Sequence, residues 1–147
     1  MTSSVVVRSA STSDVPEILK LQQQAETAAQ WSSSEYERIV AKGGVLLVAE
    51  SEGNVCGFIA GSAVESEWEL ENVVVDQLMK RRGVGRLLIR RFLQTAKGAA
   101  AKKAFLQVRE DNASARALYE DAGFRVCGKR PRYYAQRDAL VYVFDFD

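Results

Sequence analysis

One stretch of the chain decides the fold: Val73-Val74-Val75-Asp76-Gln77-Leu78-Met79-Lys80-Arg81-Arg82-Gly83-Val84-Gly85-Arg86. It joins the end of a β-branched strand to a helix from about Gly85 to Ala96, whose apolar residues recur at the helical spacing of three and four. Two glycines at such a junction leave the backbone amides accessible, and the helix N-terminus behind them favours a phosphate or pyrophosphate. We therefore expect a phosphate-binding turn here.

The sequence around this turn excludes the two commonest phosphate loops. A dinucleotide-binding fingerprint needs a third glycine where Leu88 stands, and a Walker loop needs Gly-Lys-Ser or Gly-Lys-Thr. A plain surface connection with a solvated arginine face remains the alternative. The context favours a phosphate-binding turn late in an antiparallel α+β domain.

The elements on either side of the turn support that class. A strand at Val5 to Arg8 precedes two helices, and a capping-box pattern marks the start of each, Asp14 with Glu17 and Ser32 with Glu35; the second helix ends at Gly43-Gly44. The remaining elements are three strands of an antiparallel meander at Val45 to Glu50, Val55 to Val64 and Trp68 to Asp76, then a strand at Ala104 to Val108, a helix at Asn112 to Ala122 closed by Gly123, and strands at Phe124 to Gly128 and Ala139 to Phe146. The order β-α-α-β-β-β-α-β-α-β-β predicts an α+β fold with a mixed, mostly antiparallel central sheet flanked by helices.

The amino-acid composition excludes several classes of catalytic and metal site. The chain has 147 residues, 47% hydrophobic and 27% charged, which is typical of one globular domain, here residues 1–147. It contains no histidine, which excludes Ser-His-Asp triads, Cys-His pairs and HExxH zinc sites. Cys56 and Cys127 lie far apart in Val-Cys-Gly contexts typical of buried strand positions, so we expect no metal.

Charge and hydropathy indicate where the protein works. A net charge of +1 disfavours direct nucleic-acid binding. The N-terminus lacks a signal-peptide pattern, and no apolar run approaches the length of about 18 residues that spans a bilayer. We therefore expect a cytoplasmic protein without a membrane partner.

Two motifs carry a family resemblance. Lys80-Arg81-Arg82-Gly83-Val84-Gly85 fits the pattern Gln/Arg-x-x-Gly-x-Gly/Ala, with lysine at the first position. The second motif is Asn112-x-x-Ala115-x-x-Leu118-Tyr119-x-x-x-Gly123-Phe124. Together they resemble the GNAT superfamily of acyl-CoA-dependent N-acetyltransferases, and with Trp31-Ser32 and Tyr133-Tyr134 the likeness covers almost the whole chain. Within it, Glu69 to Asp76 and Arg130 to Tyr134 resemble the bacterial ribosomal-protein-alanine N-acetyltransferase branch.

The resemblance implies acetyl-CoA as the acetyl donor, CoA as the product, and the N-terminal amine of a protein as the acceptor. It implies these donor-binding residues: Val73, Val74, Val75, Arg81, Arg82, Gly83, Val84, Gly85, Arg86, Asn112 and Tyr119. For the acceptor it points to Trp31, Tyr133, Tyr134 and Asp138. The three arginines have a solvated surface as their alternative, and Asn112 has the role of a helix N-cap.

Acid and base roles follow from the same resemblance and from the residue types. Tyr119 matches the family's proton donor to the CoA sulfur, with an anchor for its helix as the alternative. Gln107 replaces a glutamate that the branch uses as general base, so that assignment does not transfer. Glu69 and Glu71, two apart on one strand face, are the remaining candidates, either as a base or as solvated charges.

Three functions remain open at this stage. The first is acetyl transfer to a protein N-terminus. The second is acetyl transfer to a small-molecule amine, which the departure at Gln107 favours. The third is a non-catalytic acyl-CoA-binding regulatory module, against which the presence of Tyr119 counts.

Overall fold

The computed structural model describes residues 4–25, 28–134 and 137–146. Four α-helices and seven strands form in them. The strands are β1 (Val5–Ser9), β2 (Val45–Ser51), β3 (Asn54–Val64), β4 (Glu67–Val75), β5 (Lys103–Arg109), β6 (Arg125–Tyr134) and β7 (Arg137–Asp145). The helices are α1 (Val15–Gln24), α2 (Ser33–Ala41), α3 (Val84–Gly98) and α4 (Ala113–Asp121). The expected element order and the α+β class are confirmed.

The strands form a single seven-stranded sheet in the order β1-β2-β3-β4-β5-β7-β6. Every neighbouring pair is antiparallel except β4 and β5, which run parallel. That parallel pairing covers only three residues of each strand, from Glu67 with Lys103 to Glu69 with Phe105. We call the line between β4 and β5 the seam.

Each face of the sheet carries its own pair of helices. On one face α3 and α4 cover a cluster that includes Trp68, Leu106 and Phe92. On the other face α1 and α2 cover Val48, Phe58 and Val74. Burial of these side chains is the main term that stabilises the sandwich.

A β-bulge in β4 changes which face its side chains occupy. Leu70 pairs with Gly61 and Asn72 pairs with Ala60, so Glu71 is the extra residue. Before the bulge Leu70 packs under α3, whereas after it Val74 packs under α1 and α2. The bulge therefore carries Asn72 onto the same face as Glu69.

Local signals at the helix ends are largely confirmed. Ser32 and Glu35 form the expected capping box of α2, and Gly123 follows α4 with a φ of 106°. The expected link between Asp14 and Glu17 is wrong. The Asp14 carboxylate instead points back to accept a 2.8 Å hydrogen bond from the Ser11 amide, and it also pairs with Arg8.

Two further expectations need correction. The strand expected to end at Gly128 runs on to Tyr134 as β6, because Pro131 is tolerated on a strand at the edge of a sheet. The same edge position explains Cys127, which is exposed beside a bulge rather than buried, whereas Cys56 is buried as expected.

Candidate active site

The pairing across the seam stops before the carboxyl ends of β4 and β5, and we call the unpaired region between these strand ends the cleft. Beyond Glu69 and Phe105 the two strands no longer pair, although each stays bonded to its outer neighbour. Because β4 and β5 are parallel, the helices that follow them, α3 and α4, both begin at this end. The cleft thus has unpaired strand backbone inside it and two helix N-termini at its mouth, as in other sheets that bind ligands at carboxyl strand ends.

Gly83 and Gly85 have different roles in the turn that precedes α3. Gly83 is the N-cap residue with a φ of 80°, and a Cβ atom there would meet nothing within 4 Å. A Cβ atom on Gly85 would lie 3.2 Å from Leu118 Cδ2 and 3.7 Å from Val75 Cγ2. Gly83 therefore gives the turn its left-handed backbone, and Gly85 lets α3 pack closely against α4 and the end of β4.

The first-turn amides of α3 have no carbonyl partner within the helix and are the natural anion donors. Arg81 and Arg82 are exposed beside them, and Arg81 also has a positive φ of 67°. Arg86 is exposed as well but pairs with Asp121 at 2.9 Å. The residues of the turn fit a pyrophosphate through their backbone, with the arginine charges nearby.

Of the three valines expected to bind the donor, only two face the α3 side. Val73 and Val75 are half-buried and pack against the cluster under α3 and α4. Val74 is buried on the opposite face among Ile18, Tyr36 and Phe58. Its side chain is therefore committed to the core, and only its backbone remains for a ligand in the cleft.

The structure places Glu69 and Glu71 together at the point where the seam opens. Ser62 lies opposite Glu69 in the β3–β4 register, and its hydroxyl donates a 2.8 Å hydrogen bond to Glu71 Oε2. Burial raises the pKa of Glu71 and the charge of Glu69 raises it further, while the Ser62 hydrogen bond opposes both. Glu71 is thus a half-buried carboxylate that binds a proton more readily than an exposed one.

Tyr119 lies on the other side of the sheet, in the second turn of α4. Its side chain is buried, with its ring centroid 6.2 Å from Phe124 and 6.4 Å from Tyr142. Tyr119 therefore does anchor its helix by packing, which is the alternative to its expected role as a proton donor. Since Tyr119 and Glu71 lie on opposite faces, a substrate could contact both only through the cleft.

Asn112 and Gln107 both have partners in the structure. Asn112 Oδ1 accepts from the Ala115 amide at 3.3 Å, so the residue is the N-cap of α4, and its ligand role stays a prediction. Gln107 Oε1 accepts a 3.1 Å hydrogen bond from Arg130 Nη1. A cation thus faces position 107, to which the general-base assignment did not transfer.

The residues expected to bind the acceptor lie on both sides of the seam. Trp31 precedes α2, stacks on Tyr36 with 5.8 Å between ring centroids, and lines a pocket of about 290 Å³ together with Ser62. Asp138 lies on β7 and pairs with Lys129 at 3.1 Å. The side chains of Tyr133 and Tyr134 fall outside the described part of the chain, so their expected role stays a prediction.

Sequence reasoning missed Ser62 and Asn72. Asn72 is buried, and its amide donates to Tyr36 Oη at 3.2 Å and to the Ala29 carbonyl at 3.0 Å. The available signal was a single amide residue before three valines, at the point where the apolar phase of β4 shifts. Ser62 had no such signal, because a serine near the end of a strand is common.

A groove of about 440 Å³ lies along the polar face of α3 and is lined there by Arg86, Arg90, Gln94 and Lys97. Its floor includes Phe144 and Phe146. Among the described residues, His, Cys, Asp and Glu side chains nowhere group in threes as metal ligands would. Each helix in that part of the chain is too short or too polar to cross a bilayer.

Comparison with known proteins shows which protein family the chain resembles. Residues 13–124 match the acetyltransferase (GNAT) family. N-alpha-acetyltransferase RimI of Mycobacterium tuberculosis is 36% identical over 103 residues, which are 67% of this chain and 63% of the relative. A protein of Mycobacterium leprae is 42% identical, but the match spans only 21% of its length. The chain therefore covers less than two thirds of these two relatives.

Other relatives match over nearly their full length. The [ribosomal protein bS18]-alanine N-acetyltransferase of Salmonella typhimurium is 31% identical over 135 residues, 89% of this chain and 90% of the relative. The crystal structure of the ribosomal-protein-S18-alanine N-acetyltransferase of Escherichia coli superposes with a TM-score of 0.88 at 27% identity, covering 97% of this chain and 94% of that one. The structure of Ard1 from Thermoplasma volcanium gives a TM-score of 0.87 at 25% identity, covering 97% and 98%.

Proposed function

The chain belongs to the acetyltransferase (GNAT) family, and on that premise we propose that it transfers the acetyl group of acetyl-CoA to the N-terminal α-amine of a protein. The observation that carries the choice of acceptor is the full-length likeness to relatives named as alanine N-acetyltransferases of ribosomal protein bS18. The N-terminal alanine of a ribosomal protein is accordingly the first acceptor to test.

The residues of the cleft fit acetyl-CoA. The left-handed Gly83 and the first-turn amides of α3 would hold the pyrophosphate, with Arg81 and Arg82 beside it. The unpaired backbone of β4 beyond Glu69 would bond the amide groups of the pantetheine arm. When bound, acetyl-CoA supplies the thioester carbonyl that an amine can attack.

Glu71 is our candidate for the group that receives the amine's proton, directly or through one water. A protein α-amine has a pKa of about 7.7–8.0, so an appreciable fraction is already neutral at pH 7, and a modest base is sufficient. Burial, and then the charge of Glu69, raise the pKa of Glu71 above the ordinary value of a glutamate, which makes it a better base than an exposed glutamate. Ser62 orients its carboxylate.

Tyr119 is our candidate for the group that protonates the departing thiolate. As the nitrogen–carbon bond forms and the carbon–sulfur bond breaks, the sulfur gains a proton and the tyrosine hydroxyl loses one. The buried packing of the ring against Phe124 fixes the position of that hydroxyl. Each group thus moves one proton, and no covalent enzyme intermediate is needed.

The Gln107–Arg130 contact favours Glu71 over position 107 as the base. The Arg130 guanidinium would pair with a carboxylate at position 107 and hold its pKa low, so Gln107→Glu should bring little gain in rate. The Glu69→Gln, Glu71→Gln double variant should lower kcat/KM and flatten its pH dependence. An unchanged pH profile in the double variant would assign the proton to bulk water instead.

The deciding experiment for the acceptor is acetyl-CoA turnover measured across N-terminal alanine peptides, lysine peptides, polyamines and aminoglycosides. We expect turnover on the N-terminal peptides, with N-acetyl-blocked versions as matched controls. Turnover on the polyamines or aminoglycosides alone would favour a small-molecule acceptor. Binding of acetyl-CoA without turnover on any amine would indicate the regulatory module.

A further inference from the structure

A buried polar network connects β4 to the segment between α1 and α2. Its members are Asn72, Tyr36 and Gln22, each under 7% exposed. Asn72 donates to Tyr36 Oη at 3.2 Å, and the Tyr36 hydroxyl donates to Gln22 Oε1. Burial raises the pKa of Tyr36 to about 12, so the hydroxyl keeps its proton and remains a donor.

The network ends on the backbone of residues 28–32, which we call the Trp31 segment. Gln22 donates through Nε2 to the Trp31 carbonyl, and its Oε1 accepts from the Trp31 amide at 3.3 Å. Asn72 donates to the Ala29 carbonyl at 3.0 Å. Two side chains therefore satisfy backbone groups on either side of position 30, where no helix or strand does so.

This network contributes more to the position of the Trp31 segment than to the stability of the fold. Buried amides gain little net free energy over apolar groups of the same shape, but removing one partner leaves the others unsatisfied. The network consequently permits one conformation of the Trp31 segment and penalises others.

The two ends of the network lie at functionally different places. Asn72 directly follows Glu71, the extra residue of the β-bulge. At the other end Trp31 lines the pocket that it shares with Ser62, the residue bonded to Glu71. The network thus ties the wall of this pocket to the strand that carries the candidate base, and its hydrogen bonds described above join neither α3 nor the turn at Gly83.

We propose that Asn72, Tyr36 and Gln22 are positioning residues that hold Trp31 against the acceptor beside Glu71. The proposal rests on the proposed function. It assigns the side chains of the network to acceptor binding, because the donor's turn and α4 lie on the other side of the sheet and only the backbone of β4 is proposed to meet the donor.

Two single variants test this assignment. Tyr36→Phe removes the hydroxyl but keeps the ring that stacks on Trp31 and packs edge-to-face with Phe58, and Asn72→Ala removes both amide donations. We expect the KM for an N-terminal alanine peptide to rise about tenfold, as for the loss of one buried hydrogen bond, with the KM for acetyl-CoA unchanged. Hydrogen exchange in the Trp31 segment should accelerate in both variants.

Asp14→Asn is the matched control. Asp14 is also buried and hydrogen-bonded near α1, but its partners are Arg8 and Ser11, so its loss should lower stability without changing either KM. The proposal is overturned if both KM values rise together, or if the acceptor KM and the exchange of the Trp31 segment stay at wild-type values. A wild type that acetylates no N-terminal peptide refutes the proposed function on its own. In that case, hydrogen exchange of the Trp31 segment tests the positioning role by itself. Exchange rates that stay at the wild-type values in both variants would overturn that role.

Discussion

Gly61 leaves room for the α3 helix at the β-bulge, and filling that room should destabilise the protein measurably. A Cβ atom at position 61 would lie 2.2 Å from Phe92 Cε1 and 3.1 Å from the Glu69 carbonyl oxygen, whereas carbon atoms in contact normally lie about 3.5–4.0 Å apart. The Phe92 ring is fully buried and packs against Trp68 at 6.0 Å, so it cannot swing away. Overpacking of this kind costs about 1–3 kcal/mol.

Urea denaturation of Gly61→Ala, Phe92→Leu and the double variant measures this clash. Phe92→Leu alone should cost about 1–2 kcal/mol through the volume it removes, and in the double variant the shorter side chain should make room for the new methyl. We expect the double variant to be more stable than the sum of the single changes by about 1 kcal/mol or more. Gly98→Ala is the control, because a Cβ atom there meets nothing within 4 Å. Additivity within about 0.5 kcal/mol would show that Phe92 is not what excludes the methyl.

Three further changes test the site and its scaffold. Gly83→Val should weaken acetyl-CoA binding in calorimetry, because a β-branched residue resists the φ of 80° that shapes the turn; Gly98→Val at the far end of α3 should not. Tyr119→Phe should lower kcat by about a hundredfold or more at unchanged acetyl-CoA affinity, and near-normal kcat would leave the tyrosine only its packing role. The Arg8 hydrogen bond lowers the pKa of Asp14 from 3.8 to about 2, which is worth about 2 kcal/mol of stability that is present above pH ~4 and lost as the pH falls towards ~2. Asp14→Asn should therefore flatten that part of the stability profile in urea titrations between these pH values.

Much of the fold could be predicted because its signals are local. The capping box at Ser32 and the left-handed Gly123 mark helix ends through hydrogen bonds and backbone strain that involve only a few neighbouring residues. The length of β6 could not be predicted, since whether Pro131 interrupts a strand depends on whether that strand lies at an edge.

The site was predictable to a smaller extent. The turn at Gly83 has a sequence pattern because its left-handed backbone conformation suits few residues other than glycine. The contact between Gln107 and Arg130 joins two residues that are 23 positions apart in the chain. The change of sheet face at Glu71 depends on how β4 pairs with β3. Such features arise from tertiary pairing, which no short window of sequence specifies.

Because the seam is short, the sheet consists of two blocks of strands with few backbone pairs between them. In the described part of the sheet, three residue pairs join β4 to β5, so much of the attachment between the block of β1 to β4 and the block of β5, β7 and β6 comes from side chains packed beneath α3 and α4. A donor molecule bound between the two blocks would contact both of them and would therefore stabilise the folded protein as well as take part in the reaction. At a hundred times its Kd, a ligand that binds only the folded state adds about 2.7 kcal/mol to stability. On the proposed function acetyl-CoA is that ligand, and a fall in its concentration would lower the stability of the protein together with its turnover.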